Sequence, residues 1–147
     1  MIKFIMMVGI PGSGKSSVAA EIAQEERGIV VSSDNIREEL FGNASNMGKN
    51  GVIFGEMLKR SLKELEKGKS VIYDATNIRR SERKSLLKKF DKYYKECYFI
   101  NVSLEEALKR NFSRNRQVPE EVIVKIFERL QSPEVTEGWD NIIVIAD

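Results

Sequence analysis

Residues 9–16 read Gly-Ile-Pro-Gly-Ser-Gly-Lys-Ser and satisfy G-x-x-x-x-G-K-[ST] at every fixed position. The pattern has a physical basis. Glycines let successive backbone N–H groups turn toward one point and form a nest for an anion. The helix that follows adds the positive end of its dipole. At this spacing Lys15 reaches the β- and γ-phosphates of a nucleoside triphosphate, and the Ser16 hydroxyl ligates Mg²⁺. Gly12, Ser13, Gly14, Lys15, Ser16 and Ser17 are therefore the candidate phosphate-binding residues, with ATP or another NTP as the donor. Such a loop can serve a kinase, a hydrolase or a switch.

Three further groups bear on that choice. Asp34 and Arg37 lie three residues apart, so on a helix they project from nearly one face. An aspartate beside an arginine at a strand end suits a phosphoryl acceptor site. Asp34 would take the hydroxyl proton, and Arg37 would hold an acceptor phosphate or steady the transferred group. A weak carboxylate base suffices, because a loose transition state needs little proton abstraction until late. The plainer reading is an N-cap aspartate with an i,i+3 ion pair. Arg110, Arg114 and Arg116 stand together with no acidic residue among them. A mobile lid could close such arginines over the triphosphate, or they could simply be a solvated helix end. Finally, the third apolar run ends Tyr73-Asp74-Ala75-Thr76-Asn77 with a single carboxylate. Motor and helicase ATPases usually carry an acidic pair there, and no guanine-reading Asn-Lys-x-Asp is present, so a small kinase is favoured.

Composition narrows the field. The chain has 147 residues, 41% apolar and 31% charged, which suits one domain, residues 1–147, around one core. No run approaches the roughly 20 apolar residues that cross a bilayer, so no membrane role is expected. The apolar opening is a poor signal peptide, because it leads straight into the phosphate loop. With a single cysteine, Cys97, no intrachain disulfide can form, and a reducing, cytoplasmic setting is the default. Cys97 reads as packing rather than nucleophile. The absence of histidine leaves carboxylate, lysine or tyrosine for proton transfer. Net charge is only +2, yet residues 79–95 hold eight basic residues against two acidic ones. That stretch is either a solvated amphipathic helix or a face for a polyanion.

The elements that position these groups follow from periodicity. Residues 2–8 read as a strand buried on both faces, and residues 15–26 as a helix that Gly28 breaks. Residues 29–31 form a second strand, and a helix capped among Ser32, Ser33 and Asp34 runs to about Leu40. Residues 41–50, rich in Gly and Asn, form a loop whose tip is the expected mobile segment. A helix over 52–66 buries Phe54, Leu58, Leu62 and Leu65. Strands follow at 70–73, 98–102 and 141–145, with helices at 81–93, 104–114 and 120–130. Alternating strands and helices predict an α/β three-layer sandwich of the P-loop NTPase type, with a five-stranded, mostly parallel sheet and a small helical lid. Four strand ends then share one rim, where ligands bind in such sheets.

Taken together, Gly-Ile-Pro-Gly-Ser-Gly-Lys-Ser, Ser33-Asp34-x-x-Arg37, Asp74-Ala-Thr76-Asn77, and Arg110-Asn111 leading to Val118-Pro119 resemble the 5′-hydroxyl polynucleotide kinases of phage and bacterial nucleic-acid repair. The resemblance spans residues 1–130. It implies ATP-dependent phosphorylation of the 5′-hydroxyl of a DNA or RNA end. It also implies Asp34 as general base, Arg37 on the acceptor, Asp74 supporting the phosphate site and an arginine near Arg114 as the lid residue. Residues 132–140 resemble a segment of a wider kinase group that includes kinases acting on seryl-tRNA. A small-molecule kinase and a non-catalytic ATP-binding module are the competing readings. Trp139 either packs near a base or takes a core or edge position.

Overall fold

β1 (Lys3–Val8) is the central strand, and its side chains alternate between two apolar layers. Phe4, Met6 and Val8 face one layer; Ile5 and Met7 face the other. A strand flanked on both faces cannot tolerate polar residues on either, which accounts for the apolar run from Phe4 to Val8 after Lys3 at its half-buried start. The computed structural model describes residues 1–42, 49–115 and 117–146. After β1 come α1 (Lys15–Glu26), β2 (Ile29–Ser32), α2 (Ser33–Phe41), α3 (Asn50–Glu66), β3 (Val71–Asp74) and α4 (Arg80–Leu87). Then follow β4 (Tyr94–Asn101), α5 (Leu104–Ser113), α6 (Glu120–Arg129) and β5 (Asn141–Ala146). The sheet order is β2-β3-β1-β4-β5, and every strand pair is parallel. Ile36 of α2, Ile53 and Met57 of α3 and Leu87 of α4 cover one face. Ala19 and Ile22 of α1, Ala107 of α5 and Ile123 of α6 cover the other. This is the expected three-layer α/β sandwich. Among the described residues no helix is long and apolar enough to cross a membrane.

Several local expectations are corrected. The buried stripe of α3 is Ile53, Met57, Ser61 and Leu65; Leu65 is buried as expected, while Phe54, Leu58 and Leu62 each lie one residue past a buried position. Leu58 and Leu62 only flank the core, and Phe54 remains 38% exposed. The helix expected over 81–93 ends at Leu87 and tightens into a 3-10 turn, Lys88–Phe90. β4 accordingly begins at Tyr94, four residues early, because its ladder with β1 starts at Lys3–Tyr94. Pairing on both sides of β4 outweighs local helical preference there. Most of the expected loop over 41–50 lies outside the described residues. Cys97 is buried, and burial pushes its thiol up to about 12, which suits packing rather than nucleophilic chemistry.

The basic stretch also changes character. Arg83 is 1% exposed and is not part of a solvated basic face. Its Nε donates to Glu137 Oε1 at 2.7 Å and its Nη2 to Glu137 Oε2 at 2.9 Å. Its remaining donors reach the carbonyls of Asn77 (2.7 Å) and Gln131 (2.8 Å). Trp139, in the core, donates its indole N–H to Glu137 Oε1 at 3.1 Å. A buried charge is tolerable only when paired and hydrogen-bonded in this manner. Arg80 also turns inward, toward Glu137 and the Ser132 carbonyl.

Candidate active site

The loop between β1 and α1 holds two glycines in left-handed backbone conformations, Gly12 at φ +85 and Gly14 at φ +90. Gly14 is the N-cap of α1 and offers no side chain to its own helix, so the amides at that end stay available to an anion. A Cβ on Gly12 would collide with the Ala107 carbonyl of α5, which is backbone and cannot swing away. Gly12→Ala is therefore expected to lose at least about 2 kcal/mol of stability from strain alone. Thermal unfolding should show a lowered midpoint, and ATP titration a loss of binding. A variant with unchanged values would mean the loop tolerates another path.

Lys15 and Ser16 follow at the start of α1 and line a cavity of about 860 Å³. Ser16 Oγ donates to Asp74 Oδ2, at the end of β3, at 3.0 Å. Asp74 is buried, and its second oxygen, Oδ1, has no hydrogen-bond partner among the described residues. A hydroxyl and a buried carboxylate with spare acceptor capacity form a hard-oxygen set that fits Mg²⁺. The end of β3 is tied to the phosphate loop, since the Gly9 N–H donates to the Thr76 carbonyl at 3.1 Å. Asn77, at φ +49, donates its side-chain amide to the Met7 carbonyl at 2.7 Å. The Arg83 contact on the Asn77 carbonyl fixes this turn from behind.

At the end of β2, beside Asp74, Ser32 rather than Asp34 caps α2, accepting from the Asn35 N–H at 3.3 Å. Asp34 sits in the first turn with its side chain 44% exposed at the cavity. The N-cap reading is thus replaced, while the i,i+3 pair is present: Arg37 Nη1 lies 3.5 Å from Asp34 Oδ1. Arg37 is only 3% exposed and lines the same cavity. Its Nη2 donates to Asn50 Oδ1 at 2.8 Å, and its Nε has no partner among the described residues. Asn50, the first residue of α3, was not legible as a site residue because it works through a partner on another helix.

The arginines separate. Arg114 ends α5 and lines the cavity. Arg110 does not. Its Nη1 donates to the Ser13 carbonyl at 2.7 Å and its Nε to Glu106 at 3.1 Å, so it braces the phosphate loop from outside. Arg116 lies outside the described residues. Ser13 is turned inward, with its N–H on the Ile10 carbonyl at 3.1 Å and its hydroxyl buried. Ser17 is exposed and stands apart from the cavity lining. Lys15, Ser16, Asp34, Arg37, Asp74 and Arg114 are thus brought to one chamber. Among the described residues no cluster of three or more Asp, Glu, Cys or His side chains exists that could hold a metal alone.

Residues 4–133 match the family model described as the AAA domain. The chain belongs to this family. This AAA domain is 30% identical over 149 residues to the L-seryl-tRNA(Sec) kinase of Methanococcus maripaludis, covering 92% of this chain and 55% of that protein. It thus spans about half the length of that relative. It is 24% identical to the shikimate kinase of Corynebacterium glutamicum, over 99% of this chain and 79% of that one. Its fold matches a chain of the Pnkp1/Rnl/Hen1 RNA repair complex at a TM-score of 0.77 and 25% identity, over 88% of this chain and 44% of that one. The AAA domain therefore carries a P-loop kinase fold.

Proposed function

We propose that this domain is an ATP-dependent kinase that moves the γ-phosphoryl group to the 5′-hydroxyl of a DNA or RNA end, as in nucleic-acid repair. The observation that carries the reading is the shared cavity, lined by Lys15, Ser16 and Asp74 together with Asp34 and Arg37. The acceptor oxygen bonds to the γ-phosphorus as the bond from that phosphorus to the β–γ bridging oxygen breaks. ADP leaves, and the hydroxyl proton passes to the Asp34 carboxylate. Lys15 and Arg114 offset charge on the transferred group. Mg²⁺ would be held by Ser16 and Asp74, and it supplies charge neutralisation on the phosphate oxygens. Arg37 holds the phosphate next to the acceptor hydroxyl through its fixed donor fork. The lone, buried Cys97 suits the cytoplasmic, reducing setting.

Incubation with ATP, Mg²⁺ and 5′-hydroxyl oligonucleotides, scored by label transfer, tests this reading. No transfer to DNA or RNA at any length would overturn it. Asp34→Ala is expected to cut turnover by about 10²- to 10⁴-fold, the range for a positioned base, while sparing ATP affinity. An equal loss of ATP affinity would remove Asp34 from the acceptor side.

A second reading rests on the burial of Arg83 and the inward turn of Arg80, which thin the basic face. It makes the acceptor a small hydroxylated metabolite, or a seryl group as in the M. maripaludis relative. A metabolite acceptor predicts turnover with a metabolite panel and binding that ignores salt, whereas a polyanion, whether an oligonucleotide end or a seryl-tRNA, should bind far more weakly as salt rises. A non-catalytic ATP-binding module predicts instead no transfer at all.

A further inference from the structure

Helix α3 carries an aromatic ring that the core does not use. Phe54 is 38% exposed and stands outside the buried stripe of its helix. It lines the cavity together with Asn50 and Gly51. Asn50 lies one helical turn before Phe54, so the two side chains are neighbours. Asn50 holds Arg37 Nη2 at 2.8 Å, so Phe54 lies one helical turn after the residue that anchors the guanidinium, and both line the cavity. Gly51 and Gly55 flank the ring at i−3 and i+1, and a Cβ built on either would meet nothing within 4 Å. Glycines weaken a helix interior, and here they leave space around an aromatic face.

A second observation points to a ligand. Arg37 is almost fully buried and lines this cavity, yet its Nε lacks an acceptor among the described residues. A buried guanidinium donor without a partner fits an incoming oxyanion. An aromatic face with open surroundings, in one cavity with a donor suited to phosphate, matches a nucleotide: a flat ring attached to a phosphodiester.

Building on the acceptor assignment above, we propose that Phe54 is a specificity-determining residue of the acceptor site. The base of the terminal nucleotide stacks on Phe54 over Gly51, while Arg37 holds the adjacent phosphate. Stacking tolerates any base, because every base presents a π-face. The site therefore distinguishes a nucleotide from an abasic sugar phosphate, and not one base from another.

The test uses the full 147-residue chain and two 5′-hydroxyl oligonucleotides that differ only in whether the terminal residue carries a base. Phe54→Ala should raise the acceptor KM for the base-bearing oligonucleotide by about 5- to 100-fold, the range for one stacked base. The KM for the abasic oligonucleotide and for ATP should not change, and Phe54→Trp should restore the wild-type preference. If Phe54→Ala affects both oligonucleotides equally, or neither, the stacking assignment is overturned while the kinase reading stands. If wild-type protein phosphorylates neither oligonucleotide, the acceptor reading fails first and the stacking assignment falls with it.

Discussion

Lys15→Ala is expected to lower phosphoryl transfer by about 10²- to 10³-fold or more, the cost of removing one preorganised charge-stabilising donor. Lys15 opens α1 where the helix dipole already favours an anion, and it lines the cavity shared by Asp34 and Arg37. No salt bridge involves it among the described residues, so its loss should leave the fold intact. The expected pattern is an unchanged unfolding midpoint with transfer nearly gone. Lys15→Arg should rescue little, because a broad planar fork cannot replace a compact ammonium in a glycine-walled nest. Retention of transfer within about tenfold of wild type would mean that charge on the γ-phosphate is met elsewhere, contrary to the role of such a lysine in P-loop enzymes.

Glu137→Gln is expected to be the most destabilising single change outside the apolar core, at about 3–5 kcal/mol, because it leaves the Arg83 charge buried and unpaired. Burial raises the Glu137 carboxyl, but hydrogen bonds from Arg83 and Trp139 outweigh it and hold the group below its ordinary value of 4.5. A carboxyl depressed in the folded state contributes its full stability above its unfolded pKa and loses it as pH falls through the folded one. Wild-type stability should therefore decline on acidification below about pH 4.5, and Glu137→Gln should lack that part of the decline. Denaturant melts of both proteins across that range provide the measurement. Replacing both Arg83 and Glu137 with apolar residues should recover only part of the loss. The carbonyls of Asn77 and Gln131 would lose the Arg83 donor, at about 1–3 kcal/mol for a carbonyl that water does not reach. Full recovery would reduce the network to a single ion pair.

The two networks differ in how far the sequence discloses them. The phosphate loop is legible because its chemistry is contiguous: glycines, lysine and serine follow one another between a strand and a helix. Strand ends at Ser32 and Asp74 are legible because buried parallel strands read as apolar runs with polar residues just beyond them. Asn50 is hidden because its meaning lies in Arg37, on the preceding helix. Phe54 is misread for a subtler reason. The α3 sequence supports two stripes that begin one residue apart and converge on Leu65, and the one that is buried contains a polar residue, Ser61. Apolar spacing alone prefers the wrong stripe. Arg83 is counted among surface cations because its counter-ion is 54 positions away. Only the three-dimensional fold joins such partners.

The Arg83 network also bears on where this domain can be cut or joined to another. The family match stops at residue 133, but Glu137, Trp139 and β5 are built into the same core and sheet. A fragment trimmed to the matched region would strand a guanidinium inside the protein and loosen the turn that carries Asn77 toward Asp74. The cooperative unit thus extends past the sequence signature. An insertion or fusion within residues 134–139 would disturb the nucleotide end of the cavity from its rear, without touching a residue that lines it near Ser16.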